Sequence, residues 1–197
     1  MYLKLLVSLT LIMYSVGSSA NQTIDGTSPN SMPVVDYVDL DRFMGDWYVI
    51  ANIPTFLEKD AYNPLENYKL ENDGTISTTF TFNKGSLDGP EKIYRPRGFV
   101  TDKETNAIWG MQFIWPIKAD YRIVYLDDNY QQTIIGRNSR DYVWIMARTP
   151  TISEDDYSKL VNHIVSLGYD ISNLQKAVHA NNAVSYTHLT LPTTPYV

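Results

Sequence analysis

The sequence predicts an all-β protein: an eight-stranded antiparallel up-and-down barrel, with one α-helix outside it and a short ninth strand after the helix. Three observations carry this. From Asp39 onward, short runs of alternating apolar and polar residues recur between clusters of turn residues. The connections are short, so consecutive strands are neighbours, and a sheet of that size removes its exposed edges by closing on itself. One segment alone, 153-SEDDYSKLVNHIVSLG-168, carries a helical period.

The first strand is Trp47 to Ile53, ended by Pro54. A long loop follows, and the second strand runs from Glu66 to Glu71, closed by Asn72-Asp73-Gly74, a strong hairpin signal. The third, Ile76 to Phe82, and the fourth, Lys92 to Thr101, precede a turn at 102–106. The fifth is Ala107 to Phe113 and the sixth Tyr121 to Leu126. Asp127-Asp128-Asn129 turns the chain into the seventh, Tyr130 to Arg137, and the eighth is Tyr142 to Arg148. In the helix, Ser153 is a good N-cap with Asp156 three residues on. Tyr157, Leu160, Val161, Ile164 and Val165 make one apolar stripe, so this helix packs on the outside of the barrel. Residues 174-LQKAV-178 then add a short strand beside the first.

Composition bounds the rest. With 197 residues, 44% of them apolar, the chain suits one domain with tails. Aromatics make up 13%, including 15 tyrosines, a content suited to a wall that is partly apolar and partly wet. The formal net charge is −6 and the basic residues are scattered, which argues against nucleic acid as a partner. There is no cysteine, so disulfides, thiolate chemistry and cysteine metal sites are excluded. Residues 1–20 read as a secretory signal: Lys4, an apolar stretch too short for a span of about 20 residues, then Ser18-Ser19-Ala20. Residues 21–37 read as a flexible leader, 38–180 as the folded domain, and 181–197 as a disordered tail with the look of a non-native remnant.

Three islands resemble the lipocalin family, and specifically its bacterial, outer-membrane branch. They are 45-GDWYVIA-51 on the first strand, 125-YLDDNYQQTIIG-136 across the turn at Asp127, and 143-VWIMARTP-150, where an arginine closes the last barrel strand. The segments 53-IPTFLEKDAYN-63 and 112-QFIWPIKADYRIVYL-126 are also similar. The resemblance implies a calyx closed at one end, with Gly45, Trp47, Asp127 and Arg148 as its structural motif, Trp47 filling the floor and Arg148 lying across the indole. Members of this branch are often anchored through a cysteine at the signal cleavage site. This sequence has none, so the expectation is a soluble protein, periplasmic or secreted.

Strand parity then picks the inner face. Trp47 brings Val49 and Ala51 with it, and Arg148 brings Tyr142, Trp144 and Met146. Tyr68, Tyr94, Trp109, Met111, Phe113, Tyr121, Ile123 and Tyr125 complete the lining. Phe80 and Phe82 share one face of the third strand, which a bulge would invert. The loop from Pro54 to Pro64, with Phe56 and Tyr62, is placed to act as a lid. Such a lining suits a small hydrophobic ligand of the fatty acid or lysophospholipid class, handled in envelope lipid maintenance or stress, with transient contact at a membrane surface. No catalytic motif, metal set or cofactor signature occurs. The alternative is an enzyme of the same fold, a lipid isomerase or hydrolase.

Overall fold

The computed structural model describes residues 31–180. The expected signal segment, most of the leader and the 181–197 tail lie outside the described residues. The sheet contains β1 (Gly45–Ile53), β2 (Ala61–Leu70), β3 (Thr75–Lys84), β4 (Glu91–Tyr94), β5 (Arg97–Val100), β6 (Ile108–Ile114), β7 (Ile117–Leu126), β8 (Gln132–Gly136), β9 (Val143–Ala147) and β10 (Gln175–Lys176). A single helical turn, α1 (Leu40–Phe43), precedes β1, and α2 (Glu154–Ser166) lies between β9 and β10. Eight strands pair in the order β1-β2-β3-β5-β6-β7-β8-β9, and β9 returns to β1, so the ring is closed. β4 pairs with β3, and β10 pairs with β1, both outside the ring.

The ring is the barrel that alternation and short connections predict, with four local departures. The fourth strand is broken at Arg95-Pro96: β4 and β5 both pair with β3, and only β5 continues to β6. Proline has no N–H for a ladder. Its carbonyl still accepts from Thr78 N at 3.2 Å. The second strand begins at Ala61, not Glu66, because a bulge between Tyr62 and Leu65 absorbs Pro64. The expected long loop is thus reduced to residues 54–60. Two more bulges lie in β1 between Val49 and Ala51 and in β7 between Ile123 and Tyr125.

Each of the last two bulges reverses the inward parity of its strand. Val49 and Ile123 belong to the cluster inside the barrel, with Val38, Phe43, Trp109 and Met146. Ala51, expected inside, belongs instead to an outer cluster with Ile50, Ile145, Leu160 and Ile164, between the barrel and α2. The helix begins as its sequence dictates: Asp156 N donates to Ser153 Oγ at 3.1 Å, while Ser153 Oγ donates to Asp156 Oδ2 at 2.8 Å. Packing also starts earlier than the leader reading allows. Met32 is buried, its N–H donates to Asn138 Oδ1 at 2.7 Å, and Val35 N donates to Ile123 O at 3.1 Å.

The floor is built around Trp47 and Arg148. The guanidinium carbon stands 3.8 Å over the indole. Nη1 donates to Asp46 O at 2.8 Å, Nη2 to Arg42 O and Phe43 O at 2.8 and 3.1 Å, and Nε to Tyr130 O at 3.2 Å. The indole N–H donates to Phe43 O at 2.8 Å. Gly45 has φ +93°, and a side chain there would meet Arg148 Nη1 at 3.5 Å. Asp127 forms the adjoining turn, its Oδ1 accepting from Gln131 N and Gln132 N at 2.6 and 2.5 Å. Trp47→Ala is expected to lower unfolding stability by roughly 3–5 kcal/mol, as for other buried tryptophans. Chemical denaturation reads this directly, and an unchanged midpoint would contradict the floor role.

Candidate functional site

One row of cross-strand partners organises the inner wall above the floor: Trp47 on β1 faces Glu66 on β2, Glu66 faces Phe80 on β3, and Phe80 faces Tyr94 on β4. Phe80, Phe82 and Tyr94 form an aromatic group, with Phe82 and Tyr94 stacked at 6.1 Å and Phe80 and Phe82 tilted at 5.2 Å. No irregularity interrupts the β2–β3 ladder between Leu65 and Leu70, so the third strand keeps the orientation in which Phe80 points inward. On the opposite wall Trp109 and Tyr121 stack at 5.0 Å. Tyr121 OH donates to Tyr68 OH at 2.9 Å. Gly98 makes room for this layer, since a Cβ there would lie 3.1 Å from Ile76 Cβ.

The expected lining residues therefore separate into groups. Tyr68, Trp109, Met111, Tyr121 and Ile123 are brought together, all buried in the inner cluster, as the packed lower half of the barrel. Trp144 packs against that cluster from above. Phe113, expected in the cavity, is 47% exposed, because an irregularity between Met111 and Ile114 turns the end of β6 out toward the β6–β7 tip. Tyr125 faces α2 instead of the cavity, its ring 5.4 Å from that of His163, as the β7 bulge dictates. Tyr142 packs against the outer cluster under the Arg137 guanidinium. Phe56 is 85% exposed on the loop after β1.

Tyr62 lies at a seam. β1 and β2 pair over Gly45–Tyr48 and Tyr68–Leu65, and above that the C-terminal segment takes the place between them. Ala51 pairs with Lys176, Ala177 N donates to Ile50 O at 2.9 Å, and Tyr62 bridges to Val178. His179 is buried beside the β1 bulge with Nε2 2.8 Å from Val49 O, and burial depresses its pKa. A cavity of about 170 Å³ opens at this seam, lined by Pro54, Glu58, Tyr62, Pro64 and Lys176 among others.

Two acids in the interior were not named among the expected site residues. Glu58 turns inward from the loop after β1, where its carboxyl accepts from Trp144 Nε1 at 2.6 Å and from Thr55 N at 2.9 Å. Glu66 was legible by parity with Tyr68; the inward turn of Glu58 depends on a tertiary partner. The Glu66 residue keeps some accessible surface, but its Oε2 has none and no hydrogen-bond partner. Burial, and secondarily the charge of Glu58, pushes the Glu66 carboxyl up to about 8. Burial likewise drives the Tyr68 and Tyr121 phenols well above their ordinary value.

A raised carboxyl pKa means that the folded protein holds a proton which the unfolded chain releases between pH 4.5 and about 8. Its stabilising contribution is complete below pH 4.5 and is lost as the pH rises through about 8. Each pKa unit corresponds to about 1.4 kcal/mol. Glu66→Gln is therefore expected to match the parent in denaturant midpoint near pH 4 and to exceed it near pH 9. Equal midpoints at both pH values would show that the carboxyl is not held in an apolar interior.

Comparison with known proteins agrees with this architecture. The family model described as a lipocalin-like domain matches residues 38–179. Temperature-induced lipocalin-1 of Arabidopsis thaliana is 35% identical over 159 residues, covering 76% of this chain and 84% of that protein. Outer membrane lipoprotein Blc of Escherichia coli K12 is 29% identical over 148 residues, covering 74% and 82%. Among solved structures, insecticyanin from the tobacco hornworm Manduca sexta superimposes with a TM-score of 0.62 at 17% identity, covering 80% of this chain and 89% of that one. With this fold, floor motif and match, the chain belongs to the lipocalin family.

Proposed function

We propose that this protein binds a small hydrophobic ligand in its barrel and carries or stores it, the ligand being of the fatty acid or lysophospholipid class and the setting cell-envelope lipid maintenance or stress. The observation that carries the reading is a closed ring with a sealed floor and an aromatic inner wall. The expected lining residues Tyr68, Phe80, Phe82, Tyr94, Trp109, Met111, Tyr121, Ile123 and Trp144 supply that wall. Burying an acyl chain contributes about 0.8 kcal/mol per methylene. Ten or more buried methylenes then outweigh the ordering cost of binding. The reading is of a binder, not an enzyme.

The same proposal covers location and access. An exported protein without a cysteine has no site for the thioether-linked lipid of a lipoprotein, so it would act as a soluble periplasmic or secreted carrier. The β6–β7 tip exposes Ile114, Trp115 at 81% and Ile117, an apolar finger suited to brief contact with a membrane surface. Protein purified from its own host and analysed by native mass spectrometry should carry a bound lipid, and should bind a fluorescent fatty acid once delipidated. A Trp115→Ser variant should load more slowly from vesicles while binding free ligand equally well. Absence of lipid together with failure to bind the fluorescent probe would overturn the reading. Lipid turnover abolished by changing one polar interior residue would favour the enzymatic alternative.

A further inference from the structure

The inner wall carries one acid, Glu66, with a buried oxygen that no donor among the described residues satisfies. Glu66 stands on the inner face of β2 between its cross-strand partners Trp47 and Phe80. Its Oε2 is fully buried, and no donor among the described residues reaches it. Among the described residues, Glu58 acts on this carboxyl electrostatically, and it adds negative charge. The oxygens of Glu58 are already engaged by Trp144 and Thr55. Arg148 brings no compensation, because its guanidinium is committed to carbonyls around the floor. An unpaired buried acid is costly, and an apolar residue would pack this position without that cost.

What the position lacks is a cationic donor. A carboxyl acceptor beside aromatic rings is the chemistry that recognises an ammonium group, through charge-assisted hydrogen bonds and attraction to ring faces. Phe80 and Phe82 on β3, beside Glu66, and Tyr94 on β4 beyond them supply the rings. We propose that Glu66, with Glu58 and this aromatic group, forms an ammonium subsite inside the barrel, and that the preferred ligand is an amphiphile with a protonated amine seated head-inward. This rests on the calyx reading above and, of the two classes named there, favours a lysophospholipid with an amine head group over a fatty acid. A fatty acid entering tail-first would set a methyl group against Glu66, and one entering head-first would bring its carboxylate beside the charge of Glu58.

The titratable groups facing Glu66 are Glu58 from the loop after β1, Tyr68 on β2 and Tyr121 on β7. Both phenols stay neutral through the physiological range, since burial raises them well above 10. An alkylammonium keeps its charge up to about pH 10. Its binding therefore strengthens from pH 6 to pH 8, as the Glu66 carboxyl gives up its proton.

Isothermal titration of the purified, delipidated protein with dodecylammonium, dodecanol and dodecanoate tests this. At pH 7 dodecylammonium should bind about tenfold more tightly than dodecanoate, the size of one charge-assisted hydrogen bond. Glu66→Gln should abolish that advantage and flatten the pH dependence, with thermal unfolding confirming that the variant folds. The comparison of ligands on the unchanged protein stands whether or not the variant folds. Dodecanol binding without an ammonium advantage would overturn this inference alone. Failure of all three ligands would overturn the calyx reading and the subsite with it.

Discussion

Beneath the barrel, the guanidinium of Arg148 lies 3.8 Å over the indole of Trp47 while its nitrogens reach carbonyls of Arg42, Phe43, Asp46 and Tyr130. One side chain at the end of β9 thereby joins the start of β1, the helical turn before it and the turn between β7 and β8. Burial lowers the Arg148 pKa, with Asp46 opposing the shift, yet guanidinium remains charged at any pH a folded protein meets. A lysine would offer a point charge without the fork of donors, so the floor needs arginine. With one end sealed in this way, a ligand bound inside the ring, as proposed above, would have to enter from the other end.

The seal also explains where the aromatic residues go. Trp109, Tyr121 and Tyr68 pack directly on the floor, with Phe43 5.6 Å from Trp109 and 5.7 Å from Tyr68. They are a core first and the base of a cavity second. Polarity rises above them, where Glu66, Glu58 and the indole N–H of Trp144 occupy the space. The barrel thus has a dry base and a wall bearing two acids, an arrangement that sacrifices some stability and that packing alone would not favour.

Much of this was legible in the sequence because alternation, turn residues and the paired Trp47 and Arg148 islands all repeat the same message. The ring, the capped outer helix and the strand beside β1 follow from it. What escaped was set by bulges. An extra residue in β1 or β7 leaves no mark in the alternation, yet it carries Ala51 and Tyr125 from the inside of the barrel to the side facing α2. The break at Pro96 also escaped, because the expected fourth strand ran straight through it, and which neighbour each half reaches is set by tertiary pairing. Phe56 and Phe113 looked like cavity residues because they are large and apolar near the open end. Their exposure comes from loop and hairpin geometry that residue type does not encode.

The central claim is that ligand sits inside the ring, above the Trp109–Tyr121 stack and against the wall formed by Glu66 and Phe80. A crystal structure with a bromine-tagged dodecyl ligand tests it most directly, because anomalous scattering locates the bromine independently of any interpretation of the chain. The account predicts one bromine site within the barrel, bounded by Glu66, Phe80, Tyr94 and Trp144. A single strong site on the outer wall, between the barrel and α2 or at the exposed β6–β7 tip, would contradict it.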